Sequence, residues 1–197
     1  MPRRRDVDGQ RERLSAAVWD VLARDGLSGL TLRAVAERAG CTTGLVLHTF
    51  ADKRALLRHA RELLHSRTRE RADAAGQAAA DPLDAVRAVA LQALPLSEEK
   101  REEARVWTGF LAAAASDEEL RDLHVQHNRA FVQRVETLIG QGRPDLSRAE
   151  RTHHAVSLVA LVEGLNTLAA ADPVTYSPHR QRLALDRALA GLVGERA

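Results

Sequence analysis

The sequence predicts an all-helical fold, and three observations carry that expectation. Ala and Leu supply most of an apolar content of 45%, and they are the strongest helix formers. Aromatic residues, which strands favour along with β-branched ones, make up only 3%. Apolar residues recur at spacings of three and four through most of the chain, with Gly, Pro and capping residues at the breaks.

Leu14, Val18, Val21 and Leu22, with Ala17 beside them, predict a first helix over about residues 10–25, stopped by Gly26. Thr31 caps a second helix from Leu32 to Ala39, whose Leu32, Val35, Ala36 and Ala39 share one face. Gly40 ends it, Cys41 lies in the turn, and Thr42 caps a short third helix reaching about Thr49. Asp52 then caps a long fourth helix starting at Lys53, with Leu56, Leu57, Ala60, Leu63 and Leu64 as its stripe. The Ala-rich residues 72–80 continue that helix.

Asp81-Pro82 places a capping residue before a proline at the first helical position, opening a fifth helix that Pro95 closes. Ser97 starts a sixth helix to about Ala115. Ser116 with Glu119, and Ser147 with Glu150, fit the capping-box pattern and open a seventh helix to about Gly140 and an eighth to about Ala171. Ser177-Pro178 opens the last, ending near Gly194. Nine helices with short connections result, with no strand.

Charge divides the chain. Residues 1–71 hold 15 Lys and Arg against 9 Asp and Glu, a net of +6, while the remainder carries −4. A basic first third beside an acidic body is the pattern of a nucleic-acid-binding head. The second and third helices, joined by a tight turn at Gly40, form a helix-turn-helix behind the basic run Arg3-Arg4-Arg5. That run is expected to follow phosphates or enter a minor groove, the alternative being a solvated tail.

A single cysteine, Cys41, excludes an internal disulfide framework and a multi-cysteine zinc site, and suits a reducing cytoplasm. No charge-free apolar run approaches the ~20 residues that span a bilayer, and no long apolar segment follows the basic start, so neither membrane nor secretory signal is expected. His124 with His127 and His153 with His154 lack the partners of a metal site and are expected at the surface. With no Gly-rich phosphate loop and no nucleophile–base constellation, neither an enzyme nor a cofactor is expected.

The segment from Leu30 to Leu57, LTLRAVAERAGCTTGLVLHTFADKRALL, resembles the DNA-binding domain of the tetracycline-repressor (TetR) family. The resemblance rests on Thr31, Arg33, Val35, Ala36, Ala39-Gly40, Gly44, His48, Phe50, Lys53 and the Leu56-Leu57 pair. It implies a DNA-binding head over residues 1–55 and a ligand-sensing, dimerising body over residues 56–197. It further implies a homodimeric repressor of a palindromic operator, released by a small-molecule effector. In this reading Thr43, Gly44, Leu45 and His48 face the bases and Arg33 reaches in from the second helix. Thr31, Thr42 and Lys53 hold phosphates. Val46 and Phe50 face the core. The family's usual tyrosine is Leu47 here, which donates no hydrogen bond and is expected to pack against the fourth helix.

In the body, the stretches Arg105-Val106-Trp107 and Asp117-Glu118-Glu119-Leu120 resemble the branch that includes choline-responsive repressors of the betaine pathway. That implies a pocket at Trp107, Phe110, Leu111, His127, Asn128, Phe131 and Glu163, where aromatic rings and Glu163 can hold a cation. By the same resemblance Leu158, Leu161, Val162, Leu165, Leu168, Leu189 and Leu192 form the dimer interface. The competing reading is a constitutive, architectural DNA-binding protein with no effector.

Overall fold

The computed structural model describes residues 2–194, and of residues 2–8, 193 and 194 the backbone alone. Among these residues the chain forms nine helices and no strand. In order they are α1 (Pro2–Gly29), α2 (Leu32–Ala39), α3 (Thr43–Thr49), α4 (Lys53–Gln77), α5 (Pro82–Ala93), α6 (Glu98–Ala114), α7 (Glu118–Gly142), α8 (Arg148–Ala171) and α9 (Pro178–Gly194).

Local chemistry sets the boundaries. Side-chain oxygens of Thr31, Thr42, Asp52, Asp81 and Ser97 each accept a backbone N–H from the first turn of α2 to α6. Ser147 and Glu150 form a reciprocal capping box at the start of α8. Gly26 breaks α1 with φ +66°, and Gly40 ends α2 in the left-handed region at φ +64°, where a side chain would be strained. Two boundaries differ from expectation. α1 starts at Pro2 rather than near residue 10. The cap of α7 is Asp117, whose carboxylate accepts from Leu120 N, whereas the Ser116 hydroxyl donates to the Ala113 carbonyl at the end of α6. The carboxylate is the stronger acceptor for a helix start.

Two cores hold the chain together. The first gathers Leu14, Val18, Leu22, Val35, Val46, Phe50 and Leu56 from the head, and continues without interruption into Val106, Phe110 and Ala114 of α6. The second joins α5, α7, α8 and α9 through Val86, Leu94, Ile139, Leu158, Val162 and Leu185. α4 enters the first core through Leu56, Ala60 and Leu64, then packs along α5. The head is therefore seated on α6 as well as on its own helices.

This packing corrects several expectations. Phe110 is 3% exposed and completes the head's core instead of facing a pocket, while Leu111, next to it on the helix, turns outward. Leu158, Val162, Leu165 and Leu192 are buried in the chain's own second core, and Leu161 and Leu189 pack partly against it. Of the residues expected at a dimer interface, only Leu168 is exposed. Leu47 is 44% exposed, because it shares the outward face of α3 with Thr43 and Gly44.

Candidate nucleic-acid interface and effector cavity

The outward face of the head is polar and open. Thr31, Arg33, Thr42, Thr43, Gly44, His48 and Lys53 are all exposed, and Leu45 is half-buried. On α3, Thr43 and Leu47, and Gly44 and His48, stand four residues apart and so present one surface. Val46 and Phe50, as expected, are buried behind it. Gly44 has no tertiary neighbour against its Cα, so a partner surface can come up to the backbone there.

The threonines serve two ends at once. Thr31 Oγ1 accepts from Ala34 N at 3.1 Å and Thr42 Oγ1 accepts from Leu45 N at 3.3 Å. Each hydroxyl proton stays available to donate outward, which a phosphate oxygen accepts. Beside α3, a cleft is lined by Gln10 and Arg11 of α1 with Leu45, His48 and Thr49. Arg11 thus adds an exposed cation next to the recognition face that the sequence reading did not single out. The expected contacts of Arg3, Arg4 and Arg5 fall on side chains outside those described.

The body holds a cavity of about 320 Å³ bounded by α4, α5, α6, α7 and α8. It lies at the small end of the ~300–1,000 Å³ typical of ligand sites. Trp107, His127, Asn128, Phe131 and Glu163 line it, as the sequence suggested. The sequence reading missed Arg61, His65, Glu103, Arg134 and Asn166. A signal for two of them was present: Arg61 and Asn166 are polar residues inside the apolar stripes of α4 and α8.

Both ends of the cavity carry arginine and carboxylate groups, paired at one end and not at the other. At the far end, Arg71 and Glu103 form a two-pronged ion pair with Nη1 2.8 Å from Oε1. Arg134 pairs there with Asp73 at 2.7 Å and donates to the Ala72 carbonyl at 2.8 Å. Near the head, about 18 Å back along α4 from Asp73, Arg61 lies over the Trp107 ring, its Cζ 4.4 Å from the centroid. The Trp107 indole N–H donates to Glu163 Oε2 at 2.6 Å. Burial pushes the Glu163 carboxyl up, against the pull of that hydrogen bond and of Arg61.

His65 and His127 stack face to face, 3.7 Å between centroids and 3° from parallel, and His124 lies tilted against Trp107. His65 and His127 line the cavity, whereas His124 is half-buried beside it against Trp107; for His127 the pocket expectation holds over the surface one, and His124 is less exposed than expected. Burial, aided by Arg61, His65 and His124, pushes His127 down to about 4, so it is neutral near pH 7. No group of three or more metal-ligating side chains occurs among the described residues.

Comparison with known proteins covers both halves. Residues 14–60 match the family described as bacterial regulatory proteins, tetR family, and residues 82–194 match the C-terminal part of BetI-type transcriptional repressors. The chain is 28% identical over 182 residues to the HTH-type transcriptional regulator PksA of Bacillus subtilis, covering 91% of this chain and 88% of that one. It is 32% identical over 162 residues to the HTH-type transcriptional regulator BetI of Paraburkholderia phymatum, covering 79% of each. The fold is shared with a transcriptional regulator from Saccharomonospora viridis solved in complex with choline, with a TM-score of 0.83, 20% identity, and 93% and 96% of the two chains covered.

Proposed function

Because the chain belongs to the tetR family of bacterial regulatory proteins and carries a BetI-type C-terminal body, we propose that its DNA-binding activity is a repressor's, exerted by a homodimer on a palindromic operator and relieved by a small molecule in the α4–α8 cavity. The observation that carries this reading is the pairing of an open polar face on α3 with a lined cavity in the body, both served by one helix, α4. The head, residues 1–55, reads DNA in the cytoplasm. The body, residues 56–197, senses the effector.

In the head, Arg33, Thr43, Gly44, Leu45 and His48 meet base edges in the major groove, where Arg pairs with guanine and Leu packs on a thymine methyl. Thr31, Thr42 and Lys53 fix the phosphates, and Arg11 adds to them. Leu47, exposed on the same face, supplies apolar contact in place of a hydrogen bond.

One short helix reads few bases, so specificity calls for two copies. α8 supports that: by length and hydropathy alone it would suffice to cross a membrane, yet one face is in the second core. Its other face exposes Val156 and Leu168, with Ala160 between them also exposed. A helix apolar all round belongs between two layers, and the second layer is α8 of another copy, with Leu183 of α9 at its border.

Effector control is a two-state equilibrium, shifted only by the effector's difference in affinity for the two shapes. α4 runs from Lys53 at the head to Asp73 at the cavity's far end, so a ligand that moves it re-spaces the two heads. Selection of bound sequences from a random DNA pool tests the reading. The expected result is a palindrome, lost in the double variant Arg33→Ala/Thr43→Ala. Sequence-blind binding would favour the architectural alternative.

A further inference from the structure

Arg61 is a buried cation that stacks on Trp107 but has no hydrogen bond or ion pair at either Nη. It is 1% exposed and lines the cavity, and both its Nη1 and Nη2 are buried and make no hydrogen bond. The other buried or half-buried cations around the cavity are each paired: Arg134 with Asp73, Arg71 with Glu103 through both Nη although its Nε is left without a hydrogen bond, and Lys100 with the Leu91 carbonyl and the Gln92 side chain. The one carboxylate near Arg61, that of Glu163, is engaged by the Trp107 N–H and forms no ion pair with the guanidinium. A buried, unpaired guanidinium is costly, and it persists where a partner arrives from outside the chain.

A second orphan faces the same space. His127 Nδ1 is buried without a hydrogen bond, on a ring fixed by stacking against His65. Leu64, Ala72, Val89, Ala104 and Phe131 give the same cavity an apolar part of its wall.

We propose that the effector is a carboxylic acid, whose carboxylate seats on Nη1 and Nη2 of Arg61 while its apolar remainder fills the cavity. This rests on the effector reading above. The planar fork of a guanidinium matches a carboxylate with two parallel hydrogen bonds and neutralises its charge. His127 Nδ1, in the tautomer that carries its proton, adds a third donor. A quaternary ammonium ligand is excluded from the Trp107 face that Arg61 covers, and it would meet like charge there. A single negative charge fits better than two, since Glu163 lies close by. Because Arg61 is on α4, two turns beyond Lys53, the seated acid bears on the helix that carries the head.

The test compares probes that share a skeleton and differ in charge: hexanoate, octanoate and 3-phenylpropionate against the corresponding alcohols and amines, with choline added. Binding is read by calorimetry on the full chain, for wild type, Arg61→Met and Arg61→Lys. At least one carboxylate is expected to bind about tenfold or more tighter than its alcohol and amine. Arg61→Met should erase that preference and Arg61→Lys, which keeps charge without the fork, should weaken it. The ligand-free Arg61→Met protein should melt no lower than wild type, since it loses an unpaired buried charge. A carboxylate preference that survives Arg61→Met, an ammonium probe that binds tighter than its matched acid, or an Arg61→Met protein that melts well below wild type would each overturn the proposal while leaving the effector reading in place. Failure of every probe, charged and neutral, to bind would overturn the effector reading and the proposal with it.

Discussion

The head and the body handle polar groups in opposite ways. The head keeps an apolar interior of Leu14, Val18, Val35, Val46 and Phe50 and sets its threonines, Arg33, His48 and Lys53 outside. The body turns part of its charge inward, with Arg61, Glu103, Arg134 and Glu163 around a cavity. A surface meant for a polyanion needs its donors in solvent, ready to meet phosphates. A site meant for one small molecule needs them withdrawn, where a charge-assisted hydrogen bond is stronger for lack of water. Within one chain, polar residues are sorted onto an open face in the head and around an enclosed space in the body.

Phe110 joins the two regions, and its loss has the largest expected effect. Phe110→Ala should cost about 3–5 kcal/mol in chemical denaturation, because this ring fills the head's core from a body helix. It should also weaken DNA binding by loosening the seat of α2 and α3. A loss under about 1 kcal/mol would show that head and body are separate folding units.

At the start of α8, Ser147→Ala removes half of the capping box and should cost about 1 kcal/mol, measured the same way. Acid sharpens the contrast by a similar amount. His127 takes its proton near 6.5 when unfolded and near 4 in the fold, where burial, Arg61, His65 and His124 oppose it. Between those values the unfolded chain binds more protons, so stability falls as pH falls. With His127 partly exposed, the loss attributable to it is on the order of 1 kcal/mol, and His127→Gln should flatten the pH dependence of the melting temperature by that much. Leu47→Ala is the smallest: a change within about 0.5 kcal/mol in stability, with operator affinity altered and only a correspondingly small shift in melting temperature.

The two regions were also unequally legible in the sequence. Boundaries of α2, α3 and α4 followed from Thr31, Gly40, Thr42 and Asp52, since capping is local chemistry. The core placement of Val46 and Phe50 followed from the resemblance to the family motif. Asp117 displaced Ser116 as a cap because adjacent residues compete and the carboxylate accepts more strongly. The pocket was half legible. Trp107 and Glu163 announced themselves as an aromatic and an acid, whereas Phe110 and Leu111 were assigned to the cavity although they face elsewhere. Which side of α6 meets α1 and which meets α8 is a tertiary fact, absent from the pattern of any one helix. The same limit turned Leu158 and Val162 into expected interface residues, because α8 has apolar residues on its exposed face as well as on its buried one.

In the proposed reading the outward face of α3 distinguishes sequence as well as charge. The most direct measurement is titration of this protein with the selected palindrome and with a scrambled duplex of equal length, at low and at physiological salt. The expected result is a preference for the palindrome of about 10³-fold or more at physiological salt, with both duplexes losing affinity as salt rises. Two duplexes that bind equally, and weaken together, would contradict it.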